Sequence, residues 1–188
     1  MRLLLIPFIF LALLGCNQAA QPPGKEAAPG AQAGPVKGVD RSHKGTAAPA
    51  ATFNDPDGNE TSLAEFSGKP LLLNLWATWC APCVKELPTL DRLAADDKGV
   101  AVIAVSQDSG PHASVEAFLA NHKIVNLAAY QDAKSGLSGA LGPDAVLPTT
   151  ILYDSNGREV WRYVGDLDWT GPEAARKIAE GAAPPQKG

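Results

Sequence analysis

Two cysteines stand two residues apart in Trp79-Cys80-Ala81-Pro82-Cys83, directly after the apolar run Leu71-Leu72-Leu73-Asn74-Leu75-Trp76. Cysteines at this spacing can close a disulfide within one turn of helix. If Cys80 opens that helix, the unpaired N–H groups and the dipole at the helix start stabilise its thiolate, the form that attacks disulfides. A strand running straight into such a turn has the layout of a thiol–disulfide exchange site. Half of a zinc site and a plain structural bridge are the competing readings. Zinc takes about four ligands, and there is no second closely spaced Cys pair in the sequence.

The third cysteine, Cys16, has its own context. Met1-Arg2 precedes an apolar stretch from Leu3 to Leu14. That stretch is short of the roughly 20 residues a bilayer span needs, and it fits the pattern of an export leader. Leu13-Leu14-Gly15-Cys16 resembles the bacterial lipobox. The resemblance implies cleavage before Cys16 and lipidation of its sulfur, which would anchor the chain to a membrane through several acyl chains. An ordinary secretory signal cut near Ala19-Ala20 is the alternative. Either way the domain leaves the cytosol; the lipid-anchored reading places it on a bacterial membrane facing the periplasm, with inner or outer membrane left open. Asn17 is not the Asp that commonly retains such lipoproteins at the inner membrane, which favours the outer one.

The expected organisation is a lipoprotein signal peptide over residues 1–15, a lipidated cysteine and flexible tether over 16–48, a folded domain over 49–182 and a tail over 183–188. The tether reading rests on a stretch rich in Ala, Gly, Pro, Gln and Lys that has too little apolar surface to offset its ordering entropy. His43 falls in it as a solvated side chain. Within the domain, Asn54-Asp55-Pro56-Asp57-Gly58-Asn59 marks a turn between two short strands. Leu71 to Ala77 and Val100 to Val105 read as buried strands. Ala81 to Asp97 reads as a helix with Leu87, Leu90, Leu93 and Ala94 inward and Pro88 kinking it. Pro111 to Asn121 reads as a second helix, Asn126 to Tyr130 as a short strand, Thr149–Tyr153 with Glu159–Val164 as a hairpin, and Pro172 to Glu180 as a closing helix. Net charge is −4 without a basic cluster, which argues against nucleic acid as a partner.

This element order, with the Cys pair at a strand-to-helix junction, resembles the thioredoxin fold, and within it the TlpA/ResA-type thiol–disulfide oxidoreductases. The resemblance is carried by Ala48-Pro49-Ala50-Ala51-Thr52-Phe53, Gly58 and Leu63, Gly68-Lys69-Pro70, Asn74 to Cys83, Glu86-Leu87-Pro88, Leu147-Pro148-Thr149-Thr150, and Asp154 with Gly157. It implies an α/β, thioredoxin-like three-layer sandwich with a central mixed sheet and an N-terminal β-hairpin extension. It implies no cofactor beyond a redox-active Cys80–Cys83 disulfide, and no metal. Cys80 would be the attacking sulfur and Cys83 the resolving one. Ordinary thioredoxins place a buried Asp where this chain has Asn74, and an amide cannot titrate. Members of the group carry a Glu three residues after the second cysteine, here Glu86, one helical turn from Cys83. Glu86 is thus the candidate acid/base group. The resemblance makes Pro148 a cis proline beside the couple, with Leu147 offering its backbone to an extended substrate. Pro82 fixes the helix start, and Trp79 offers an apolar docking surface.

Trp76 reads as packing, Trp161 and Trp169 as aromatics without chemistry, and His112 and His122 as surface residues. The function implied is extracytoplasmic reduction of cysteine-containing protein substrates, in cytochrome c or respiratory copper-site assembly, with electrons from a membrane thiol transporter of the DsbD/CcdA kind. A copper-binding assembly protein using both sulfurs as soft ligands is one alternative. A peroxiredoxin-like peroxidase is another, although Ala77 stands where that chemistry needs Thr or Ser.

Overall fold

A computed structural model of the chain describes residues 37–96 and 99–181. Cys16, the leader, most of the expected tether and the C-terminal tail lie outside the described residues. The elements run β1 (Gly38–Asp40), β2 (Thr52–Asn54), β3 (Glu60–Ser62), β4 (Leu71–Trp76), α1 (Ala81–Ala95), β5 (Ala101–Ser106), α2 (His112–Asn121), β6 (Tyr130–Gln131), α3 (Gly136–Leu141), β7 (Thr149–Tyr153), β8 (Glu159–Val164) and α4 (Pro172–Ala179). Among the described residues the strands form one mixed sheet of eight in the order β1-β8-β7-β4-β5-β6-β2-β3. Parallel pairing joins β4 to β5 and β5 to β6; the other pairs are antiparallel.

The central strand β4 is buried at all six positions, which is why its sequence is nearly continuous in apolar residues. Its side chains still alternate between faces. Leu72 and Trp76 point into a core shared with α1, α2 and α4. Leu71, Leu73 and Leu75 point into a second core with Phe53, Leu63 and α3. This is the expected three-layer sandwich. Asn74 shares parity with Leu72 and Trp76, so the only polar residue of the strand faces α1. On α1 the buried residues Cys83, Glu86, Leu87, Leu90 and Leu93 form one inward stripe. The helix continues through Pro88 to Ala95.

Three sequence expectations need correction. The segment assigned to the tether as far as residue 48 is structured from residue 37: Gly38, Val39 and Asp40 pair with Val164, Tyr163 and Arg162 at the sheet edge. Edge pairing uses backbone groups, and three residues leave no readable alternation. His43 is consequently only part-exposed, with Nε2 3.9 Å from Asp144. The strand expected from Asn126 shrinks to Tyr130–Gln131. The buried Asp91 carboxylate accepts the N–H groups of Val125, Asn126 and Leu127, so these are spent on α1 rather than on a sheet neighbour. Helix α3, six residues with two glycines, was not anticipated.

A buried ion pair braces the side of the sheet that carries the loop into β7. Arg162 and Glu159 are 2% and 3% exposed, with Arg162 Nε donating to Glu159 at 2.8 Å and Nη1 donating to the Leu141 carbonyl at 3.2 Å. That second bond ties the end of α3, and the loop that follows it, to β8. Arg162→Met leaves Glu159 buried without its counter-ion, so a loss of about 3–5 kcal/mol is expected in urea unfolding.

Candidate active site

Cys80 caps α1 with extended backbone (φ −91°, ψ 96°), and Pro82 sits in the first turn. The Cys80 carbonyl accepts the Val84 N–H at 3.0 Å, which starts the helix. Cys80 and Cys83 are joined by a disulfide with Cα atoms 5.3 Å apart. The two sulfurs differ in setting. Cys80 keeps 6% exposure at the helix mouth, and Cys83 has none. Trp79 beside them is 71% exposed, and Pro82 is exposed as well.

The antiparallel pairing of β4 with β7 sets Leu75 opposite Thr149 and Asn74 opposite Thr150. The end of one strand therefore meets the start of the other, and the Leu147–Pro148 loop enters next to the exit toward Cys80. The Leu147–Pro148 peptide is cis. Pro148 is buried and Leu147 half-buried, with the Pro148 carbonyl accepting the Gly165 N–H at 2.9 Å. The turn before Cys80 is fixed from the other side: Asp108 accepts the Thr78 N–H at 3.0 Å and the Thr78 hydroxyl at 2.7 Å.

Glu86 lies on the inward stripe one turn beyond Cys83 and is 2% exposed. Its Oε1 accepts from Asn74 Nδ2 at 2.8 Å. Its Oε2 accepts from the Leu167 N–H at 3.1 Å and from Trp169 Nε1 at 3.1 Å. Burial pushes its carboxyl up to about 7, while the donors Trp169, Asn74 and Leu167 pull the other way and nearby Asp166 adds to the rise. A pKa in that range is the one a proton-exchanging group needs at neutral pH. Trp169 is a buried core aromatic whose indole N–H is one of the groups that hold Glu86. Nothing in the spacing of Asn74, Glu86, Leu167 and Trp169 announces this cluster; the one hint was an amide in the middle of an apolar strand. Trp76 is a packing residue, fully buried with its ring 5.6 Å from that of Phe118. Trp161 is buried too and donates to the Lys177 carbonyl. His112 is half-buried rather than on the surface, and its Nε2 lies 2.6 Å from the Ala129 carbonyl oxygen. His122 stacks on Phe118.

Residues 43–180 match the Redoxin family. The thiol–disulfide oxidoreductase ResA of Bacillus cereus is 32% identical over 125 residues, which are 65% of this chain and 70% of the relative. ResA of Bacillus anthracis is 33% identical over 124 residues, again 65% and 70%. The chain belongs to the Redoxin family, among its ResA-like members. A solved Chlorobium tepidum structure named for the thiol:disulfide interchange protein DsbE superposes with a TM-score of 0.63 at 26% identity, covering 74% of this chain and 98% of that one. This Redoxin protein is accordingly a thiol–disulfide oxidoreductase, with a Cys80–Cys83 disulfide at the head of α1.

Glu86 also makes stability depend on pH. The folded Redoxin domain holds its proton up to about 7, whereas the ordinary value is 4.5. Protonation therefore favours folding: the contribution is present in full below about 4.5 and is lost as pH rises through 7. Urea unfolding of the oxidised protein should lose on the order of 3 kcal/mol across that window. Glu86→Gln should flatten the slope; an unchanged slope would assign it to other groups.

Proposed function

We propose that the chain is an extracytoplasmic reductase of protein disulfides, tethered to a bacterial membrane through lipid on Cys16. The observation that carries the reading is the asymmetry of the couple. One sulfur lies at the mouth of a helix beside an exposed Trp79. The other is sealed one turn below, on the same helix face as the buried Glu86 carboxyl, which burial pushes up to about 7. Reduced Cys80 attacks a substrate disulfide and forms a mixed disulfide, expelling one substrate thiolate. Cys83 gives its proton to Glu86, attacks the Cys80 sulfur, and releases the second substrate thiolate. The substrate leaves with two thiols, and the couple is left oxidised. In this reading the Leu147 backbone and the Trp79 ring take up an extended substrate segment.

The names of the ResA relatives support the exchange chemistry. Substrates in cytochrome c or respiratory copper-site assembly are the reading carried over from the resemblance. The same holds for a DsbD/CcdA-type membrane donor, without which the couple would stay oxidised in such a compartment. Expressing Cys83→Ser full chain in cells and isolating disulfide-linked adducts on Cys80 tests all of this. Apocytochromes or copper-assembly proteins in the adducts are the expected result. General secreted proteins would argue for a broad reductase, and no adduct at all would overturn the reading. Globomycin treatment or Cys16→Ala should release the protein from the membrane fraction if the lipid is present.

A further inference from the structure

Asn74 is bonded on one side only. Its Nδ2 donates both hydrogens, one to Glu86 Oε1 at 2.8 Å and one to the Thr150 hydroxyl oxygen at 2.9 Å. Its Oδ1 is buried and has no partner among the described residues, and Asn74 itself is wholly inaccessible. A buried acceptor without a donor costs about 1–3 kcal/mol and calls for an explanation. The two ends of a side-chain amide have the same shape and opposite hydrogen-bonding character.

The opposite side of Glu86 is not adaptable. Oε2 faces two fixed donors, the Leu167 N–H and the Trp169 indole. A proton on Oε2 would meet their hydrogens head on. The proton of neutral Glu86 therefore sits on Oε1, whose donor in the present arrangement is the Asn74 N–H. Turning the Asn74 amide by 180° presents an acceptor to that proton in place of a donor. Oδ1 then accepts from Glu86 Oε1–H, and it also accepts from the Thr150 hydroxyl, whose hydrogen is free to rotate. Both contacts survive with donor and acceptor exchanged. One amide atom lacks a partner in either orientation, so neither state is overwhelmingly preferred.

We infer that Asn74, with Thr150, is a reversible positioning unit whose amide turns over as Glu86 gains and loses its proton on Oε1. The inference rests on Glu86 being the proton acceptor for Cys83. It explains how a residue that cannot itself titrate serves in the middle strand beside the couple: Asn74 carries no proton, but it lets the neighbouring carboxyl carry one. The other groups facing Glu86 are Lys85 and Thr89 on α1, Tyr163 on β8, Asp166 and Asp168 in the loop after β8, and Lys37 ahead of β1. Together they line an open cleft beside it. Lys37 and Lys85 both pair with Asp166, at 2.7 and 3.2 Å. None of them contacts the Asn74 amide, so their titration does not reverse it.

The test is side-chain NMR on isotopically labelled full chain between pH 5 and 9. The Asn74 NδH2 resonances should titrate with the same midpoint as the Glu86 carboxyl carbon. Their NOE contacts to the Thr150 side chain should weaken at low pH, as the NH2 turns away. In Glu86→Gln the side-chain oxygen must face Leu167 and Trp169, which leaves its NH2 toward Asn74. Asn74 should then hold the reversed orientation at every pH. An NOE pattern that stays constant through the Glu86 titration, or an unreversed Asn74 in Glu86→Gln, would overturn the inference. Exchange rates are scored separately. If Glu86→Gln reduces substrate as fast as wild type, the proton-acceptor role of Glu86 falls, while the NMR result still decides whether the amide turns.

Discussion

Cys80→Ser should lower multiple-turnover reduction of a disulfide-linked peptide to below about one hundredth of wild type, because a serine hydroxyl is not ionised at neutral pH and forms no mixed disulfide. Cys83 cannot substitute for it, being without solvent exposure at the base of the turn. The partner variant behaves differently. Cys83→Ser keeps the sulfur at the helix mouth, so a first, stoichiometric attack should remain, followed by a stalled adduct. Quenched-flow gel analysis separates the two, since only Cys83→Ser should give a covalent complex. A Cys80→Ser protein that retained a tenth of wild-type turnover would move the attacking role away from the helix start.

Glu86→Gln has the second largest expected effect, and it depends on pH. An unassisted thiol with a pKa near 8.5 is only about 3% ionised at pH 7. Without a neighbouring base, resolution of the mixed disulfide should slow roughly 30-fold or more at pH 7. The deficit should shrink as pH rises toward 9, where solvent hydroxide takes over the proton. The wild-type profile should rise through about 7, where Glu86 becomes ionised. Stopped-flow measurement of adduct decay from pH 6 to 9 checks this. Parallel profiles for both proteins would remove Glu86 from the mechanism. Gln keeps the volume of the side chain and an oxygen for Leu167 and Trp169, so a folding defect is not the expected cause of slow exchange.

The surroundings of the couple divide cleanly by range. The redox pair, the helix it opens and the strand before it were legible because each rests on short-range rules. Cys80 and Cys83 lie within one turn. Leu71 to Trp76 is apolar because both faces of a central strand are covered. Glu86 was legible as a neighbour of Cys83 because helical periodicity places both on one face. The hairpin Thr149–Tyr153 with Glu159–Val164 was read from turn residues, and it is present as β7 and β8. Strand β1 was missed because three edge residues signal only through backbone pairing. The shortened β6 was missed because a carboxylate 35 positions from Asn126, Asp91 on α1, claims the amides its strand would have used.

From the order of residues alone came a sulfur couple at a strand-to-helix junction; the family resemblance added Glu86 one turn on and the loop that carries Pro148. Spacing along a helix encodes the couple, since its period is fixed by backbone geometry. Tertiary structure alone decided the company Glu86 keeps. Asn74, Thr150, Leu167 and Trp169 come from β4, β7 and the loop after β8, 12 to 83 positions from the residues they bond. Only their convergence buries the carboxyl and gives each of its oxygens its donors. Desolvation and hydrogen-bond direction are properties of an enclosed volume, and no local stretch of chain contains one.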